Sequence, residues 1–201
     1  MLAYASKLLG APILSMQSAS SIGQISAFVI DPDSLKIIAF FVSGPLIKNA
    51  NILVAKSIRE YSKYGCVIDS IDELAEKNDV VKVSKIIDLN FNLTGLKVET
   101  KKGTKLGKVI DFTVTPDDFA VQQIIVKRPL VKSFLDPELT IPRSEIVEVT
   151  DYKIIVKNEE KTILKKAETT EFIPNFVNPF RKTEPARSPA QTKTPADIDT
   201  E

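Results

Sequence analysis

The chain has 201 residues, 43% hydrophobic and 26% charged, the balance of a folded domain with ordinary core content. Lysine and arginine number 27 against 26 aspartates and glutamates, so no whole-chain field steers it towards nucleic acid or an anionic membrane. Histidine is absent and cysteine occurs once, which excludes Ser-His-Asp and Cys-His nucleophiles, His-ligated zinc and an intramolecular disulfide.

The first residues, "MLAYASKLLGAPIL", carry neither a charged leader nor a long apolar run, so no signal peptide is expected. No stretch approaches the roughly 18–20 apolar residues of a spanning helix, and the expected location is the cytoplasm. Next comes "IGQISAFVIDPD" (22–33), which returns as "LGKVIDFTVTPD" (106–117), a spacing of 84 that holds without a gap from Ile22–Val42 to Leu106–Val126. Gly23 answers Gly107, Phe28 answers Phe112, Pro32 answers Pro116 and Asp33 answers Asp117. More loosely, "LLGAPILS" matches "LTGLKVET" and "VAKSI" (54–58) matches "IPRSEI" (141–146), each of the latter followed by an apolar run. An internal duplication of this kind sets the domain plan. Two units of about 70 residues are expected, each near the lower size limit for an unstapled core. The division is a first unit over 1–80 with a linker helix at its end, a second over 88–160, and a tail over 161–201.

Each unit reads as β. In "KVIDFTVT" the alternation puts Ile110, Phe112 and Val114 on one face and Asp111 and Thr113 on the other. Phe28 and Ile30 hold the equivalent inner positions, while Ala27 and Val29 make the first copy's outer face less polar. Gly23 and Gly107 suit a bulge or tight bend near the strand start. "DPDS" (31–34) and "TPDD" (115–118) are turns, with Pro setting φ and Asp bonding the local backbone. The strands "KIIAFFV" and "VQQIIV" complete a hairpin in each copy. Between the copies, Ser70 and Glu73 in "SIDELAEKND" have capping-box spacing and predict a helix there, with "SKIIDLNF" (84–91) as a second short turn. From about residue 183 the chain is Pro, Thr, Ala and Asp with few large apolar residues, a composition expected to be disordered.

The residues that repeat are those of a known pattern. Leu9, Gly10, Gly23, Phe28 and Asp31-Pro32-Asp33, then Gly95, Gly107, Asp111, Phe112, Pro116-Asp117, Pro142-Arg143-Ser144 and Ile146, resemble the PRC-barrel family over roughly 5–70 and 92–157. The resemblance implies an all-β fold of two tandem small PRC-type β-barrels, with a short helical linker and a disordered C-terminal tail. PRC-barrels are similar to the cytoplasmic domain of the photosynthetic reaction-centre H subunit and to the C-terminal half of a small-subunit ribosome maturation factor. Tandem and stand-alone prokaryotic versions include cell-division adaptors. Docking on protein is their common thread. No counterpart of the H subunit's anchor is expected from this sequence, and its first half resembles a second PRC unit instead of the maturation factor's different N-terminal barrel.

No catalytic, metal or cofactor-binding residue is expected. "GTKLGKV" (103–109) has the wrong glycine spacing for a phosphate loop and lacks the Ser/Thr after Lys. The "DPD" and "PDD" carboxylates read as turn formers, because the other oxygen ligands of a calcium loop are missing. Cys66, inside "CVI", reads as a small buried hydrophobe. Lys101, Lys102, Lys105 and Lys108 are a candidate weak anion patch, set against a reading as solvated hairpin lysines. Leu130, Val131, Phe134 and Leu135 form an apolar loop that either docks a partner or packs on the barrel end. In "EFIPNFVNPFRK" (171–182), Phe172, Phe176 and Phe180 belong to an apolar strip. Its prolines favour an extended segment that either covers a barrel or binds a partner. The expected function is a non-catalytic adaptor for a protein partner of unknown identity, with neither cofactor nor small-molecule substrate. The alternative is an RNA-associated ribosome-maturation or RNA-processing factor, whose RNA binding would depend on salt.

Overall fold

Two sheets with the same strand order are built from the two copies of the repeat. The structure is a computed structural model that describes residues 2–129 and 137–157. The first sheet contains β2 (Pro12–Ser15), β3 (Ser20–Asp31), β4 (Lys36–Ser43), β5 (Ile52–Val54), β6 (Glu60–Ser62), β7 (Gly65–Ile68) and β8 (Leu74–Ala75), in the order β6-β7-β2-β3-β4-β5-β8. The second contains β9 (Lys97–Thr100), β10 (Lys105–Val114), β11 (Val121–Lys127), β12 (Glu138–Pro142), β13 (Ile146–Val149) and β14 (Lys153–Val156), in the order β12-β11-β10-β9-β14-β13. Setting β8 aside, β6-β7-β2-β3-β4-β5 becomes β13-β14-β9-β10-β11-β12 strand for strand. Each sheet has its parallel pair in the same place, β2 with β7 and β9 with β14. The chain is therefore mostly β, as the alternation implied.

The correspondence at a spacing of 84 reaches the irregularities. Bulges break the register between Ile25 and Ala27 on β3 and between Val109 and Asp111 on β10, and again between Val29 and Ile30 and between Thr113 and Val114. Each pair of bulges is 84 residues apart, and bulges bend a strand and sharpen its twist. The first one corrects the expected alternation. Val109 is buried at 1% and Ile110 is 39% exposed, because the extra residue turns Ile110 outwards and re-phases the strand so that Phe112 still faces the core at 1%. Gly107 serves the close crossing of β10 and β11. An added Cβ there would run into the Lys127 carbonyl oxygen, and at Gly23 it would lie 2.6 Å from that of Ser43.

One core joins the two sheets. Phe28 and Phe112 meet edge to face at 5.9 Å and Phe40 and Phe119 at 5.1 Å, within a cluster that takes in Ile13, Leu53 and Ile68 as well as Val98, Ile124 and Ile141. Phe112 is buried while Phe28 is half-buried, so the equivalent positions are not equally enclosed. The hairpin ends meet as an antiparallel bridge between Lys36 and Ala120, which are themselves 84 apart. Beside it the Ile37 N–H donates to the Phe119 carbonyl at 3.0 Å, and the Val121 N–H donates to the Leu35 carbonyl at 2.9 Å. Adding 84 to one bond gives the other reversed, so the halves face each other across a local two-fold. An isologous dimer interface has this form.

The leading segments are exchanged across that axis. β1 (Ala3–Tyr4), at the head of the first half, pairs with β10 of the second, and the one-turn α1 (Ala5–Leu8) follows it there. The Ser6 hydroxyl donates to the Asp111 carboxylate at 2.7 Å. Conversely α2 (Val81–Asp88), which leads into the second half, lies on the first sheet. Its Val83 is buried with Val29, Ala39 and Ile52, and Val80, Ile86 and Ile87 pack around them.

The expected linker helix is displaced. Ser70 accepts from the Asp72 N–H, but only one 3-10 turn, Ile71–Glu73, follows. Leu74 then pairs with Leu53 as part of β8, so sheet pairing outcompetes helix extension. The α-helix forms at Val81–Asp88, where the short turn of 84–91 was expected. No helix among the described residues is long and apolar enough to cross a membrane. The predicted tail from 161 onwards, with its disorder from about 183, lies outside the described residues.

Candidate docking face

The four lysines singled out in the sequence are all exposed but do not form one patch. Lys101 and Lys102 sit in the turn between β9 and β10, closed by the Gly103 N–H donating to the Thr100 carbonyl at 2.8 Å. Lys105 lies opposite Glu99 at the start of β10. Lys108 belongs to a different set. In register it pairs with Lys97 of β9 on one side and Lys127 of β11 on the other. Lys97 in turn pairs with Lys153 of β14. Lys153, Lys97, Lys108 and Lys127 thus stand side by side on four adjacent strands, each roughly 4.8 Å from the next. Their neighbours in sequence, Ile154, Val98, Val109 and Val126, are all buried, so the lysines point away from the core. Sequence reasoning missed Lys97, Lys127 and Lys153, because only the strand register brings them to Lys108.

The row borders a trough. Gly107, Lys108, Ile110, Lys127 and Arg128 help line a depression of about 650 Å³, and a smaller one of about 270 Å³ continues from Gly107 and Lys108 to Lys97 and Lys105. The first sheet has the same feature in the same place. There Pro12, Gly23, Gln24, Ser43 and Pro45 help line about 400 Å³. The corresponding row of side chains, Gly65, Pro12, Gln24 and Ser43, is uncharged.

Elsewhere the polar groups serve the framework. Arg143 of the "PRSEI" segment donates to the Ser34 carbonyl at 2.6 Å and to Leu35 and Val121 at 3.3 and 3.4 Å, tying the second half to the first half's turn. Asp31 accepts from the Asp33 N–H and the Ser34 hydroxyl, and Asp118 accepts from the Ala120 N–H, so these carboxylates shape their turns. Arg59 grips Asp69 with two bonds of 2.9 and 2.6 Å, which hold that carboxyl below its usual range. Burial pushes the Cys66 thiol up to about 12, leaving it protonated and unreactive at neutral pH. The "GTKLGKV" stretch is the β9–β10 turn and the start of β10, with Gly107 inside the strand. Among the described residues no group of three or more carboxylates or thiols could hold a metal ion. The candidate docking residues Leu130, Val131, Phe134, Leu135, Phe172, Phe176 and Phe180 lie outside the described residues.

This second half, with its bulged β10, its Gly107 crossing and its Arg143 segment, matches a known family. Residues 89–163 match the family model described as PRC-barrel domain. No curated protein matches the chain.

Proposed function

We propose that the protein is a non-catalytic cytoplasmic adaptor made of two PRC-type units that docks on other proteins. The reading of the first half as a second PRC unit is supported by its shared strand order and shared bulges. The docking reading is carried by one observation. A single core holds two equivalent troughs of different chemistry, one neutral and one lined with lysine, which suits a body that holds dissimilar partners in a fixed relation.

Affinity capture with the full chain from its source organism tests this. Retention of a discrete protein after nuclease treatment, reproduced with purified partner at a Kd of micromolar or tighter, is the expected result. Capture that disappears with ribonuclease would favour the RNA-associated alternative, and turnover of a substrate abolished by a point substitution would end the non-catalytic reading.

A further inference from the structure

We infer that the lysine row of the second sheet is a binding site for an extended acidic peptide segment that also carries apolar side chains; this rests on the docking reading above. Four lysines directly opposite one another across β14, β9, β10 and β11 repel, and like charges in such cross-strand positions destabilise a sheet. The framework does not require them. The first sheet makes the same crossing, the same bulges and the same trough with Gly65, Pro12, Gln24 and Ser43 in those places. A charge pattern that the fold neither needs nor favours is accounted for by a ligand that neutralises it.

The surroundings specify that ligand. Glu99 lies 3.6 Å from Lys153, Glu138 pairs with Lys127 at the end of the row, and Glu148 is on the strand beyond β14. Against these three carboxylates stand the four lysines with Lys105 and Arg128, so among the described residues the face keeps an excess of cations. Between the cations the floor is Gly95, Gly107, Ile110 and Pro129. A phosphodiester backbone would lay polar sugar and phosphate on that floor, and among the described residues that line the trough none is an aromatic on which a base could stack. Tyr152, exposed at one end of the row, lies outside the lining. An extended peptide instead alternates its side chains, setting carboxylates against the lysines while apolar groups meet the floor.

The test uses the full chain and a fluorescein-labelled ten-residue peptide of alternating glutamate and leucine, with a ten-nucleotide oligouridylate as competitor class. Fluorescence anisotropy should show saturable peptide binding that weakens as salt rises. The variant Lys108→Gln/Lys127→Ser copies the residues of the first sheet, so it should fold with an unchanged or slightly higher Tm while its peptide Kd rises about five- to tenfold. The control Gln24→Glu, in the neutral trough, should leave the Kd unchanged. Absence of peptide binding, binding insensitive to Lys108→Gln/Lys127→Ser, or tighter oligouridylate binding lost in that variant would each overturn the proposal. If the row fails these tests while the full chain still captures a protein partner, the adaptor reading stands on another surface.

Discussion

The two halves share strand order, bulges and trough, and differ on their outer faces. The first sheet presents Val29, Ala39, Phe41 and Ile52 there, and α2 covers them with Val80, Val83, Ile86 and Ile87. At the equivalent strand positions the second has Thr113, Gln123, Ile125 and Thr140. The lysine row is the second difference, facing an uncharged row in the first sheet. A duplicated framework lets these differences be read almost as a controlled substitution. What both halves keep (the glycine crossing, the bulges, the core phenylalanines) is what the fold requires. What only one half has is free to serve something else.

The comparison breaks hardest if the halves are separated. Their repeats align within each half, yet the core cluster and the Lys36–Ala120 bridge run through both. Fragments 1–80 and 88–160 should each fail to give dispersed amide spectra as monomers, because each would expose the apolar face that the other covers. The second fragment would also lose β1 and α1, which lie on β10. A dispersed monomeric spectrum from either fragment would show that its half holds a sufficient core.

A smaller effect sharpens the comparison at one pair. Phe112, buried at 1%, should cost about 3–5 kcal/mol when changed to Ala, the usual range for emptying an enclosed aromatic site. Phe28 touches the same ring at 5.9 Å but is half-buried, and Phe28→Ala should cost about 1–2 kcal/mol, since less area leaves water when the native side chain folds in. Urea denaturation of the two variants measures the difference. Equal costs would mean that the two-fold holds for the packing as well as for the backbone.

How much of this was legible in the sequence depends on range. The hairpins and the turns follow from residues within a few positions of each other, the correspondence of Gly23 with Gly107 follows from the repeat spacing of 84, and the family pattern in the second half rests on these. The first copy's apolar outer face was visible at Ala27 and Val29, but its cover was not, because α2 lies on a strand some fifty positions earlier in the chain and its Val83 is recognisable only beside Ile52 and Val29. Ile110 was misplaced because alternation cannot register an inserted residue. The capping-box spacing at Ser70 and Glu73 was a real local signal that lost to pairing of Leu74 with Leu53. The lysine row was invisible for the same reason as the shared core: its members are separated by loops, and only strand register makes them neighbours.

The smallest expected effect lies where the local two-fold is broken by charge. Lys36 Nζ bonds Asp118 Oδ2 at 2.6 Å across the join, whereas the symmetric positions are Ala120 and Ser34 and carry no such pair. The hydrogen bond from Lys36 holds the Asp118 carboxyl below its usual value; desolvation opposes it, and the Ala120 N–H adds a lesser lowering. A carboxyl whose folded-state pKa is depressed contributes stability that is present in full above its unfolded value of about 3.9 and is lost as pH falls through the folded value. The side chains are 42% and 48% exposed, so solvent and salt screening hold the contribution to under about 1 kcal/mol. Asp118→Asn keeps an oxygen for the Ala120 N–H and removes only the charge. Its destabilisation should therefore be constant from pH 8 to about 5 and shrink on further acidification towards the unfolded and folded values. It should also shrink in high salt. Lys36→Gln should reproduce the loss, and adding it to Asp118→Asn should cost nothing more, since either change alone already dissolves the pair. A destabilisation by Asp118→Asn that persists unchanged to pH 2 would assign the effect to the turn geometry around Ala120 and leave the ion pair without a role in joining the halves.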